Sequence, residues 1–234
     1  IYMKIGNKEF KLGERTYVMG ILNVTPDSFS DGGESNNIDA ALKQTEKMIT
    51  DGADIIDIGA ESSRPGFVTM SAKEEIERLK PFLEAVLPAC PVPVSIDTFK
   101  AETAAYAAEQ GVHMLNDIWG LQYAEEPGEM AKVAAEYDLP VVVMHNRDSK
   151  VYKGDIIDSM RAFFQRSIDI ACEAGVKQEN IILDPGIGFG KDVEGNLEVM
   201  NRLQELKKFA GHRYPLLLGT SRKSVIGKNL DLPV

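Results

Sequence analysis

Short apolar runs rich in Val and Ile recur along this chain. Each ends in polar residues and gives way to a longer stretch with helical spacing. The runs are Tyr17–Leu22, Asp54–Ile58, Pro93–Ile96, His113–Leu115, Pro140–Met144, Ile181–Leu183 and Tyr214–Leu218. The helical stretches include Ile38–Thr50, Ala72–Leu87, Ala101–Gln110, Glu126–Tyr137, Ile156–Ala174 and Gly195–Phe209. In Ala72–Leu87, the residues Ile76, Leu79, Phe82, Leu83 and Val86 keep the three-and-four spacing of one helix face. Pro81 lies inside that stretch and predicts a kink. Gly52, Gly111 and Gly175 each stand just past a helix, where a left-handed cap is wanted.

Strands that are apolar almost throughout and alternate with helices imply a parallel sheet covered by helices. Seven such units suit an α/β protein of the (β/α)8 TIM barrel class better than an open sheet, which more often has five or six strands. Residues 1-234 then form a single barrel domain. Within it, residues 1-16 form an N-terminal β-hairpin, with Gly6-Asn7 at its turn. The pattern stops at Leu232-Pro233-Val234, before an eighth unit. Seven strands cannot close without two unpaired edges, so an incomplete barrel is expected rather than a different architecture.

Composition narrows the class. The chain has 234 residues, 44% hydrophobic and 26% charged, which excludes general disorder. No apolar run reaches the roughly 18 residues of a membrane span. The first residues, Ile1-Tyr2-Met3-Lys4, lack a basic-then-apolar signal pattern, and Met3 is the expected natural start. Two cysteines, Cys90 and Cys172, are too few for a disulfide framework, and a reducing cytoplasm is expected. The net charge of −10 argues against nucleic acid or an anionic membrane as partner, because phosphate backbones need clustered Lys and Arg.

In barrels of this class, catalytic groups gather where strands end. All seven runs end in polar residues. They give Asn23–Gly33, then Asp57 with Glu61–Gly66, then Ser95–Thr98, Asn116-Asp117, Met144–Asn146, Asp184–Gly190 and Gly219–Ser224. Any one of these could be a turn former or helix cap. Asp97 and Asp184 follow buried-type residues, however, where an unpaired carboxylate costs several kcal/mol. A carboxylate pairs naturally with an amidine-like edge, as in a 2-amino-pyrimidinone ring. Arg64, Ser63 and the Ser221–Ser224 segment offer anion binding. A flat heterocycle carrying an anion is thus one reading of the residues.

The strings Asn23–Gly33, Glu61–Gly66, Ser95–Thr98, Asn116-Asp117-Ile118, Asp184–Gly190 and Gly219–Ser224 resemble the motifs of the dihydropteroate synthase family. The likeness runs from about Val18 to Val234. It implies a (β/α)8 barrel that joins 6-hydroxymethyl-7,8-dihydropterin diphosphate to 4-aminobenzoate, releasing pyrophosphate. By this resemblance, Asp97, Asn116, Ile118, Met144, Asp184, Phe189 and Lys223 would bind the pterin. Asn23, Ser63 and Arg64 would bind the diphosphate, with Asn23 a ligand of Mg²⁺. Phe29, Ser63, Pro65 and Ser221 would shape the 4-aminobenzoate pocket, and Asp97, Lys223 and Arg64 would be catalytic. A homodimer and a place among the targets of sulfonamides are further implications. Ser63 stands where the family more often has Thr, and Ala60 replaces one Gly of a usual pair. The eighth strand, which in the family carries an Arg and a His that contact substrate, is not in the sequence.

Two other classes compete. A pterin-binding methyltransferase module shares the barrel and a ring-binding Asp/Asn set, but needs no diphosphate or 4-aminobenzoate site. A non-catalytic pterin- or protein-binding barrel is the third. His145 is read as structural, and His113 and His212 as surface or helix-edge residues. Tyr106, Phe163, Phe164 and Phe209 are read as helical core. Lys73, Glu74, Glu75, Glu77 and Arg78 are expected to form a solvated helix face.

Overall fold

A computed structural model describes residues 1–25, 28, 33–63 and 67–230. Packing divides the chain into two compact units. The first comprises residues 1–116 with 136–140, and the second residues 117–135 with 141–234.

The first unit opens with a hairpin, β1 (Tyr2–Ile5) and β2 (Lys8–Lys11), which pair antiparallel around Gly6-Asn7. Three parallel strands follow: β3 (Met19–Asn23), β4 (Ile55–Gly59) and β5 (Val94–Asp97), with β6 (Met114–Asp117) beside β5. Each lies within one or two residues of the run that predicts it. Helices α1 (Gly33–Thr50), α2 (Ala72–Ala89) and α3 (Ala101–Gln110) connect them. Leu22, Ile56, Ile58, Ile96 and Leu115 are fully buried, as are Leu79 and Leu83 of α2. Burying each such side chain contributes about 1.5–3 kcal/mol.

Helix α2 runs unbroken through Pro81 and Pro88. An interior proline costs about 3 kcal/mol, and the buried face of Leu79, Phe82, Leu83 and Val86 offsets it. One charged residue shares that face. Glu75 is fully buried, and Arg78 donates to the carbonyl of Ala60 at 3.0 Å. The expectation of a solvated charged face is therefore corrected at both positions. His113 is half-buried, and its Nδ1 accepts from the Val94 amide at 2.9 Å.

The second unit contains α4 (Glu129–Glu136), β7 (Val141–Met144), α5 (Ile156–Ala174), β8 (Ile181–Asp184) and α6 (Val193–Asn201). Strands β7 and β8 pair in parallel. The short hairpin β9 (Lys208–Phe209) and β10 (His212–Arg213) and then α7 (Ser224–Leu230) complete it. The helix expected over Gly195–Phe209 ends early. Ala210 and Gly211 adopt positive φ of 46° and 83°, the geometry of a two-residue hairpin turn. That turn folds Phe209 back against Phe164 and Tyr214, with ring centroids 6.3 and 6.0 Å apart. The strand expected over Tyr214–Leu218 is reduced to one parallel bridge between Leu183 and Leu216. Pro215 has no N–H to extend the ladder, and Leu218 is largely exposed.

Among the described residues no helix is long and apolar enough to cross a membrane. Cys90 and Cys172 are both free thiols.

Candidate active site

In the first unit, strand register builds one row of residues at the C-terminal strand ends. Asn23 lies opposite Gly59, Gly59 opposite Asp97, and Asp97 opposite Asn116. Side chains two apart on a strand share a face, so Asp57 and Ser95 form the layer beneath. Gly59 leaves room for its neighbour. A Cβ there would meet the Asp97 side chain at 3.1 Å and its Oδ2 at 3.2 Å.

Asn116 donates from Nδ2 to Oδ2 of buried Asp57 at 3.3 Å. Burial pushes the Asp57 carboxyl up to about 6, against the pull of Ser95 and Asn116. Asp97 and Asn116 are half-buried, while Asn23 and Ser63 are exposed. The expected residues Phe29, Arg64 and Pro65 lie outside the described residues.

The second unit holds the other expected pterin contacts. Met144 and Asp184 are register partners at the ends of β7 and β8. Asp184 is buried, and its Oδ1 accepts from the Gly186 amide at 2.8 Å. Burial raises its pKa to about 6, and the Gly186 amide and the charges of Lys223 and Lys191 oppose that rise. Lys223 lies over the Phe189 ring, with Nζ 4.5 Å from the centroid, a cation–π contact. Its ammonium is pushed below the usual lysine range by burial, and Asp184 opposes that.

The loop after β8 follows an unusual path. Gly186 has φ of 66°, and a Cβ there would lie 2.0 Å from the His145 carbonyl oxygen. Only glycine fits. Nζ of Lys191 donates to the Gly186 and Phe189 carbonyls, each at 3.0 Å, and lies 2.8 Å from His145 Nδ1. Both Lys191 and His145 are buried. Nearby, Asp117 accepts from the amides of Trp119 at 2.8 Å and Leu121 at 2.9 Å. This pins the turn carrying half-buried Ile118. Ser221 is exposed, three residues before α7.

Sequence reading missed Asp57 as the partner of Asn116, Lys191 as the tie of the β8 loop, and the set of half-buried Glu61 with buried Glu75 and Lys100. One signal was present. Glu75 stands four residues before Leu79, on the apolar stripe of α2.

Two rows of polar groups at the ends of parallel strands, each strand followed by a helix, define a (β/α)-barrel ligand-binding enzyme. Residues 19–233 match the family described as pterin binding enzyme, and the chain belongs to that family. Its relatives place it among the dihydropteroate synthases. It is 55% identical over 232 residues to the dihydropteroate synthase of Clostridium beijerinckii, covering 99% of this chain and 84% of that protein. A crystal structure of the Clostridium difficile dihydropteroate synthase, in the presence of pteroic acid, superposes with a TM-score of 0.89 at 51% identity, over 96% of this chain and 83% of that one. The Xanthomonas albilineans dihydropteroate synthase with 4-aminobenzoic acid has the same TM-score at 34% identity, over 100% of this chain and 82% of that one. The barrel class expected from the sequence is borne out.

Proposed function

We propose that the chain is a transferase that condenses 6-hydroxymethyl-7,8-dihydropterin diphosphate with 4-aminobenzoate, giving 7,8-dihydropteroate and pyrophosphate. The observation that carries this reading is the row Asn23, Gly59, Asp97, Asn116, which puts a carboxylate and an amide side by side at adjacent strand ends. The pteroic acid and 4-aminobenzoic acid named with its solved relatives support it.

An arylamine is a weak nucleophile, so loss of the leaving group is the demanding step. In the proposed dissociative path the C–O bond to the diphosphate breaks first. The electron pair leaves with pyrophosphate, and the remaining CH₂ cation is shared with the pterin ring. The amine then attacks the CH₂, forming the C–N bond, and gives up its proton to water. Asp97 and Asp184 stabilise the cation, because a fixed negative charge counts for more where water is excluded. Asn116 and Lys223 orient the ring, with Met144, Ile118 and Phe189 as apolar walls. Ser63 and Arg64 receive the diphosphate, and Phe29, Ser63, Pro65 and Ser221 receive the 4-aminobenzoate.

Mg²⁺ is proposed with the diphosphate. Among the described residues no group of three or more His, Cys, Asp and Glu could hold a metal. Asn23 offers a single exposed amide oxygen. Such a sparse donor set fits a cation that keeps several waters and binds chiefly through substrate phosphates. Mg²⁺ there would neutralise charge on the leaving group. A cytoplasmic location and a homodimer are proposed with the same reading.

Pyrophosphate release, measured with and without 4-aminobenzoate, tests the function. Release that requires the arylamine is expected. Absence of release under both conditions refutes the transferase. A methyltransferase module would instead consume methyltetrahydrofolate and release no pyrophosphate.

A further inference from the structure

Beneath the loop that joins β4 to α2 lies a buried charged network in the first unit. Lys100 has 5% of its surface exposed, and Glu75 and Thr98 have 0% and 2%. The Lys100 ammonium donates to Oε2 of Glu61 and stands 3.5 Å from Oε1 of Glu75. Thr98 Oγ1 donates to the same Glu75 oxygen at 2.9 Å and accepts from the Lys100 amide at 3.2 Å. The other carboxylate oxygen of Glu61 accepts from the Met70 amide at 3.1 Å.

These bonds have a geometric consequence. Glu61 begins the β4–α2 loop and Met70 ends it, so the Glu61 carboxylate closes the neck of the loop. Lys100, three residues past Asp97 at the end of β5, then ties that neck to the strand end. Arg78 adds a tie from α2 to the Ala60 carbonyl at 3.0 Å. Two carboxylates and one ammonium withdrawn from water cost more than a well-packed apolar core of the same volume. Loop closure alone would not need them.

We propose that Lys100 is a positioning residue for the transfer. Its pairs with half-buried Glu61 and buried Glu75 hold the loop stem that carries Ser63 in fixed register with the strand end that carries Asp97. The inference rests on the transferase reading, which gives Ser63 the diphosphate and Asp97 the pterin. A displacement of about 1 Å between groups that grip two ends of one substrate can cost about 100-fold in rate.

The test uses the full chain carrying Lys100→Met, Lys100→Arg, Glu61→Gln and the double change Lys100→Met with Glu61→Gln. Pyrophosphate release gives kcat and KM for each substrate, urea melts give stability, and hydrogen exchange reads the Met70 amide. Lys100→Met should lower kcat/KM for the pterin diphosphate about 10- to 100-fold and speed Met70 exchange, with Lys100→Arg recovering most of both. The double change removes one of the two carboxylates that Lys100→Met leaves without their ammonium, so it should regain part of the stability without regaining kcat/KM. Recovery of kcat/KM together with stability overturns the proposal, as does unchanged Met70 exchange in Lys100→Met. An inactive wild type refutes the transferase reading instead, and the exchange arm still decides the clamp.

Discussion

Nζ of Lys191 lies 2.8 Å from Nδ1 of His145, in the interior of the second unit, and donates to two carbonyls of the loop that follows Asp184. Lys191→Met would leave the buried Gly186 carbonyl and the partly buried Phe189 carbonyl without that donor. At about 1–3 kcal/mol for each unpaired polar group, the variant should lose about 2–6 kcal/mol in urea unfolding. An unchanged midpoint and slope would show that the tie contributes nothing.

His145 itself should not titrate in the physiological range. Burial first, and then the charges of Lys191 and Arg147, hold its ring down at about 2. The unfolded chain takes up this proton near the ordinary value of about 6.5, and the native chain does not. The histidine therefore removes stability as pH falls below about 6.5. NMR of the ring should show no transition between pH 5 and 8.

Asp184 gives a pH dependence of opposite sign for stability and for binding. Its folded pKa is raised to about 6, so between about 4 and 6 the native chain holds a proton that the unfolded chain has released. Its contribution to stability is full below about 4 and is lost as pH rises through 6. Ring recognition needs the ionised form, so affinity should rise over the same window. Calorimetry with 6-hydroxymethylpterin at pH 5 and pH 7 checks this. The rise should flatten in Asp184→Asn, and an equal rise in that variant would assign it to another group.

Gly186→Ala puts a Cβ 2.0 Å from the His145 carbonyl oxygen, at a φ of 66° that side chains rarely adopt. The β8 loop has to move, and pterin affinity should fall at least about 10-fold while β7 and β8 stay protected from exchange. Retained affinity would mean that the loop path does not shape the site.

Asp97→Ala should cut turnover about 100- to 1,000-fold, the range typical for loss of one preorganised electrostatic group. The melt should change little, because Asp97 is only half-buried. Near-normal turnover in steady-state assays would remove Asp97 from the chemistry.

The periodicity of the chain was enough to locate β3 to β8 and most helices. Strand and helix repeats are local, and a residue's face follows from its spacing alone. The ends of strands were legible for the same reason, which is why Asn23, Asp97, Asn116 and Asp184 could be named in advance. The reading failed where a distant partner decides. Tyr214–Leu218 looks like a strand but makes one bridge, because a strand exists only through its neighbours. Gly195–Phe209 looks helical, but Phe209 gains more by packing on Phe164 and Tyr214.

Charge was the least legible quantity. Glu75 read as part of a solvated charged face although it stands on the apolar stripe of α2, and nothing local pointed to its partner, the Lys100 ammonium 25 residues away. Spacing along the chain set the elements and the level at which their polar ends lie. Folding alone chose which of those polar groups leave water, because the cost of burying a charge depends on the partner that tertiary packing brings to it.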